Sequence, residues 1–255
     1  MTASGPEPES RRPRPGTEPA PPSGPWRRRP GTVALLVFAA VCAALFAAVT
    51  ITVSLRQGIP LAPERAALRW STAHHGEPLR SLARALTATG SGPVPYLLVV
   101  LAGLLAGRGT VGRLRAVLCA VAVLAVGQAI RYGLMELLAR PRPPAAGWAA
   151  HASGYAFPSG HATTSALAAG ILAWGIGRRA RPAVARTWCV VLALWAAGVG
   201  LTRVYLGVHW PGDVLAGWLL AATLLALALL LEPYVFPRRD RLTRPGTSPS
   251  SRAFP

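Results

Sequence analysis

Six long stretches of this chain are almost wholly apolar: residues 33–55, 94–106, 114–138, 160–176, 187–205 and 211–236. A helix needs about 20 apolar residues to cross a bilayer, and a backbone inside the bilayer must satisfy its polar groups internally. The stretches therefore predict an all-α integral membrane protein with six transmembrane helices. The second stretch is short and is expected to begin earlier than Val94. A signal peptide is a rival for the first, but its apolar length exceeds the usual ~7–15 residues of a signal core, which favours a retained helix. Residues 1–30 are rich in Pro, Arg, Glu, Ser and Gly and read as a disordered tail, as do residues 238–255. The membrane domain is expected over 31–237.

The charge pattern orients this bundle. The formal net charge is +18, and every basic side chain apart from histidine is Arg. With the N-terminus inside, Arg27, Arg28 and Arg29 are cytoplasmic, as are the loops bearing Arg108, Arg113 and Arg115, and Arg178, Arg179, Arg181 and Arg186. The C-terminal segment with Arg238, Arg239, Arg241 and Arg244 falls on the same side. This obeys the positive-inside rule with both termini cytoplasmic. It also explains the basicity more simply than nucleic-acid binding does, so no nucleic-acid partner is expected. The 56–92 connection mixes Arg with Glu64 and Glu77, and its Leu, Ala and Trp70 spacing suggests an amphipathic helix on the outer surface. Cys42, Cys119 and Cys189 lie inside apolar runs without metal-ligand spacing and read as small core or lipid-facing residues.

The same topology brings the outer ends of the third to sixth helices to one face. Phe157-Pro158-Ser159-Gly160-His161 opens the fourth apolar run, with Pro158 read in the first turn of its helix. A helix start offers free N–H groups and the positive dipole end to an anion, phosphate in particular. Ser159 adds a hydroxyl, Gly160 permits close backbone approach, and His161 can carry a proton. Arg140, Arg142 and Arg203 lie where the positive-inside rule does not call for arginine, and guanidinium forks bind phosphate bidentately. His209 stands just before the last helix and Asp213 in its first turn, where a carboxylate can fix the imidazole tautomer and raise the basicity of the other nitrogen. The set suits attack of His209 on phosphorus, with His161 as general acid and then base, and Arg142, Arg203, Ser159 and the Gly160 N–H on the equatorial oxygens. Only nine acidic residues occur, with Asp213 and Glu136 the ones expected near the site, so neither metal nor other cofactor is expected.

Arg140-Pro141-Arg142-Pro143, Pro158-Ser159-Gly160-His161 and Thr202-Arg203-x5-His209-x3-Asp213 together resemble the three signature boxes of the type 2 phosphatidic acid phosphatase (PAP2) superfamily. With the helices that carry them they cover roughly residues 80–232, the boxes lying within 131–213. The resemblance implies a PAP2-type helical bundle with His209 as nucleophile, Asp213 its partner and His161 the acid. It implies phosphate binding by Arg142, Ser159, Gly160 and Arg203, with Arg140 a further candidate. Two positions depart from the boxes. Thr202 replaces the usual Ser and keeps the hydroxyl, and Met135 stands where a Lys is usual. Arg131, one turn earlier on the same face, either reaches outward in place of that Lys or pairs with a neighbour or snorkels.

The expected activity is hydrolysis of a lipid phosphate or diphosphate at the extracytoplasmic face of the cell membrane, on a substrate such as an undecaprenyl-type diphosphate or phosphatidate. A lipid phosphotransferase and a non-catalytic lipid-binding membrane protein are the alternatives. Bilayer and lipid phosphate are the expected partners, and the residues leave the oligomeric state open.

Overall fold

A computed structural model describes residues 30–74 and 76–236, so the expectations for the two tails fall outside the described residues apart from Pro30. All regular structure among the described residues is helical. The elements are α1 (Pro30–Leu55), α2 (Ala62–Ala73), α3 (Glu77–Ala88), α4 (Pro93–Ala106), α5 (Gly109–Leu138), α6 (Gly160–Gly177), α7 (Pro182–Tyr205) and α8 (Pro211–Val235). A short 3-10 turn, Ala145–Gly147, interrupts the long α5–α6 connection.

By length and composition, α1 from Gly31, α5, α7 and α8 can each cross a membrane. Helices α3 and α4 qualify only as a pair, bent by 46° at the Thr89–Gly92 break. The second apolar run does not extend backwards as one helix, as expected, but follows a second helix around this elbow. Gly92 sits there at φ +62°, which a β-carbon disfavours. The outer amphipathic helix expected in 56–92 is two helices, α2 and α3. Helix α6 has 18 residues and many small or hydroxylated ones, because it is enclosed by protein: Ala162 through Ser165, Leu167 through Ala169, Ile171 and Leu172 are buried.

Around α6 lie α4, α5, α7 and α8, with α1 against α8. Their shared core includes Val99, Leu124, Leu167, Ile171, Leu192 and Ala221. Small residues set the closest approaches. A Cβ on Gly103 of α4 would lie 2.4 Å from the Val117 Cα of α5, and one on Gly175 of α6 would lie 2.5 Å from the Ala102 oxygen of α4. Among membrane helices, such contact replaces the hydrophobic drive that lipid cannot supply. Cys42 is buried, Cys119 half-buried and Cys189 exposed, all unpaired, in line with core or lipid-facing positions.

Helices α5 and α7 end, and α6 and α8 begin, at one face. The opposite face carries Arg108, Arg113, Arg115, Arg178, Arg179 and Arg181 at or near the other helix ends. There Arg179 caps α4 by donating to the Leu105 and Gly107 oxygens at 2.7 and 2.6 Å, and Arg178 pairs with Glu232.

Candidate active site

The loop 206–210 between α7 and α8 delivers His209, and α8 opens with Asp213 in its first turn. Asp213 Oδ2 accepts the Trp210 N–H at 2.9 Å, as an acidic residue at the third helical position should, and faces His209 Nδ1 at 3.3 Å. His209 Nε2 lies 2.9 Å from Arg142 Nη1. A guanidinium only donates, so Nε2 carries the lone pair and the proton resides on Nδ1, toward Asp213. Burial pushes the His209 pKa from 6.5 down to about 4; Asp213 opposes this and Arg142 and Arg203 add to it. At neutral pH the ring is uncharged, as a nucleophile requires.

Arg142 precedes Pro143 and is held by backbone oxygens. Its Nε donates to Gly154, Nη2 to Ser153 and Nη1 to Val208, at 2.8–2.9 Å. Burial lowers its pKa, with the nearby Arg131 charge adding to the effect and Asp213 opposing it. The Trp148 and Trp210 indoles donate to the Pro143 and Pro141 oxygens and pin this loop. Arg203, 3% exposed, gives one N–H to Thr87 Oγ1 at 3.1 Å, while its Nε has no partner.

Helix α6 starts later than expected. Pro158 precedes it, joined to Phe157 by a cis peptide bond, and Ser159 is the capping residue. The Ser159 N–H is taken by the Asp213 oxygen at 2.9 Å, tying the starts of α6 and α8 together. Its hydroxyl is fully buried and unpartnered. Buried polar atoms normally find partners; of this hydroxyl and the Arg203 Nε, the second belongs to a residue that lines the cavity described next, while Ser159 lies one residue outside its lining. The N–H groups of Gly160 and His161, in the first turn, have no helical acceptor.

Arg142, Arg203, Gly160, His161 and His209 line one cavity of about 710 Å³. Arg131 lines it too, and it also pairs with neighbours. It is 7% exposed, its Nε donates to Gln128 Oε1 at 3.1 Å, and its guanidinium lies 3.6 Å from the Tyr132 ring centroid. A Cβ on Gly160 would sit 3.2 Å from Arg131 Nη1, so Arg131 reaches the α6 N-terminus and a side chain there would press on it. Among the described residues, no carboxylate lines the cavity.

Two expectations need correction. Arg140 does not face the cavity. It is 1% exposed and spends its fork on Asp213 Oδ1 at 2.5 Å and Glu64 Oε2 at 2.8 Å. Glu136, expected near the site, is exposed, and the second carboxylate beside Asp213 is Glu64 of α2. Sequence reasoning missed Gln128 and Glu64. A polar residue in an apolar run, three before Arg131, was a usable signal for Gln128. Glu64 gave none, lying in a polar connection.

The sequence model of the PAP2 superfamily matches residues 116–237. The chain is 40% identical over 83 residues to "Phosphatidylglycerophosphatase B" of Escherichia coli K12, covering 31% of this chain and 30% of that protein. It is 37% identical over 79 residues to "Undecaprenyl-diphosphatase" of Sulfolobus acidocaldarius, covering 31% of this chain and 34% of that one. The match thus spans about a third of the length of these curated relatives. The crystal structure of a transmembrane PAP2-type phosphatidylglycerolphosphate phosphatase from Bacillus subtilis superposes with a TM-score of 0.64, covering 82% of this chain and 98% of that one at 23% identity. At that identity the likeness is one of fold.

Proposed function

We propose that this chain, whose residues 116–237 match the PAP2 superfamily, is a membrane lipid phosphatase that works through a phosphohistidine on His209 without a metal ion. The observation that carries this reading is the setting of His209: Nδ1 faces Asp213, and Nε2 faces Arg142 in a cavity that the described residues line with Arg131, Arg142 and Arg203 and with no carboxylate.

A phosphate group entering the cavity takes the Arg142 Nη1 donor away from Nε2 and frees the lone pair. Arg142, Arg203 and Arg131, the Ser159 hydroxyl and the first N–H groups of α6 hold its equatorial oxygens, where charge spreads in phosphoryl transfer. Nε2 attacks phosphorus as the ester or anhydride P–O bond breaks. His161, protonated once the phosphate dianion stands beside it, gives its proton to the leaving oxygen. His161 then takes a proton from water, whose oxygen attacks the phosphohistidine and returns His209 to its starting state. Asp213 stabilises the charge on the ring throughout.

The substrate class follows from the walls. The head group meets arginines while the lipid chain stays among apolar helices. Lipid monophosphates such as phosphatidate or phosphatidylglycerophosphate and polyprenyl diphosphates both fit, in keeping with the names of the two relatives. In this reading the bundle crosses the membrane six times, with α3 and α4 as one bent span and the enclosed α6 as another. Both termini are cytoplasmic, the arginine-rich face is inside and the site faces outward. The test is phosphate release by the purified protein from a panel of lipid monophosphates and diphosphates in the presence of chelator. Release that His209→Ala abolishes is expected; a requirement for Mg²⁺, or activity surviving His209→Ala, would contradict the mechanism.

A further inference from the structure

Glu64 belongs to none of the motifs that point to chemistry, yet its carboxylate is buried directly behind the His209–Asp213 pair. Its Oε1 accepts the Gly212 N–H at 3.0 Å, one residue before Asp213. Its Oε2 accepts the Leu61 N–H and Arg140 Nη2, both at 2.8 Å. Arg140 then reaches Asp213 with Nη1 and the Gly58 oxygen with Nε. The contacts run without a gap from Glu64 through Arg140 and Asp213 to His209. Their exposures are 7%, 1%, 0% and 3%, so solvent screens none of them strongly.

The backbone is shaped to this cluster. A Cβ on Gly212 would lie 2.6 Å from Glu64 Oε1. One on Gly58, at φ +77°, would lie 2.8 Å from Pro141 Cδ and 3.2 Å from Arg140 Cγ. The α1–α2 connection is therefore wrapped around Arg140, and α2 delivers Glu64 to it.

Charge gives the cluster a role. One guanidinium between two carboxylates leaves a net negative charge behind His209. Without Glu64, Arg140 would neutralise Asp213 alone. Asp213 would then be a weaker acceptor for Nδ1–H and a poorer counterion for the positive charge that grows on the ring as Nε2 bonds phosphorus. We propose that Glu64 is a positioning residue for His209: it holds and partly neutralises Arg140, so that Asp213 keeps the net negative charge that orients and polarises the nucleophile. Helix α2, outside the matched family region, thereby becomes part of the active-site machinery. The consequence for turnover rests on the phosphatase reading; the effect on the His209 ring does not.

The test is Glu64→Gln, which keeps the shape and removes the charge. Glu64 does not line the cavity, so kcat should fall about tenfold or more with KM unchanged. Glu64→Asp should recover part of the loss. Glu77→Gln, on exposed pairs with Arg80 and Arg84 in α3, should match the wild type. A second readout needs no substrate. In ¹⁵N-histidine NMR of the full chain in micelles, Glu64→Gln should lower the His209 titration midpoint and weaken its Nδ1–H signature. Unchanged kcat with unchanged His209 signals would overturn the proposal, as would a loss of kcat matched by loss of folded protein while those signals stay put. If the wild type releases no phosphate but the His209 signals shift, the phosphatase reading fails and the coupling stands. If the wild type turns over and Glu64→Gln equals it in both readouts, the coupling fails and the phosphatase reading stands.

Discussion

Arg140 and Arg142 are two positions apart in one Pro-punctuated segment and do different work. Their side chains part in an irregular segment that follows the left-handed Ala139 at the end of α5, Arg142 to the cavity and Arg140 to the buried carboxylates. Sequence alone named both as phosphate ligands, because a motif records residue types and not which way each side chain faces. The consequences should separate cleanly. Arg140→Ala strands two buried carboxylates and should destabilise the fold by about 3–5 kcal/mol, read as a lowered unfolding temperature in detergent. Arg142→Ala should leave that temperature nearly unchanged and abolish turnover. Arg131 was legible only as a choice between two roles. The spacing to Met135 put both on one face, where Arg131 Nη1 now lies 3.6 Å from Met135 Sδ, but only the cavity shows the guanidinium at the α6 N-terminus. Removing one charged hydrogen-bond donor costs about 1.5–3 kcal/mol, so Arg131→Ala should lower kcat/KM about 10–100-fold. Met135→Lys in that background should restore part of it, and full activity in Arg131→Ala alone would remove Arg131 from the site. His209 carries the pH dependence. Its pKa is depressed from 6.5 to about 4, so the folded state binds fewer protons than the unfolded one. Its contribution is full above about 6.5 and is lost as pH falls from there through about 4, which acid titration of unfolding should show against a His209→Gln control.

At the scale of elements, the long apolar helices were legible because twenty-odd residues without charge have few other fates. Less legible were the elements whose roles depend on neighbours. Helix α6 reads from the sequence as one more apolar span; its enclosure by the other helices, which its Ala, Ser, Thr and Gly content suits, shows only in the packing. The Thr89-Gly90-Ser91-Gly92 break reads as a turn, but a turn does not say that the amphipathic helix before it and the short apolar helix after it pair as one bent element. The elbow places Thr87 on Arg203, and the Thr89 hydroxyl accepts the Trp195 indole N–H at 2.9 Å, so it braces one wall of the site. The Gly175 contact should tolerate no side chain. Gly175→Val drives a side chain into the Ala102 backbone and should cost about 1–3 kcal/mol, measured by thermal unfolding, whereas Gly177→Ala, with nothing within 4 Å, should cost far less.

For the whole molecule, the ends of α4, α5, α6 and α7 and the loop before α8 line one cavity while the basic helix ends crowd the opposite face, and the proposed outward orientation of the site rests on that polarity. Single cysteines placed at Ser153 and at Arg181 in a cysteine-free background should label oppositely with a membrane-impermeant maleimide on intact cells, Ser153→Cys readily and Arg181→Cys only after lysis. The reverse pattern would turn the site inward. The central claim is the covalent intermediate. Rapid acid-free quenching of the purified protein during turnover of a ³²P-labelled lipid phosphate should trap label on the chain in an alkali-stable, acid-labile bond that maps to His209. Turnover with no labelled protein at any quench time, or label that persists in His209→Ala, would contradict it.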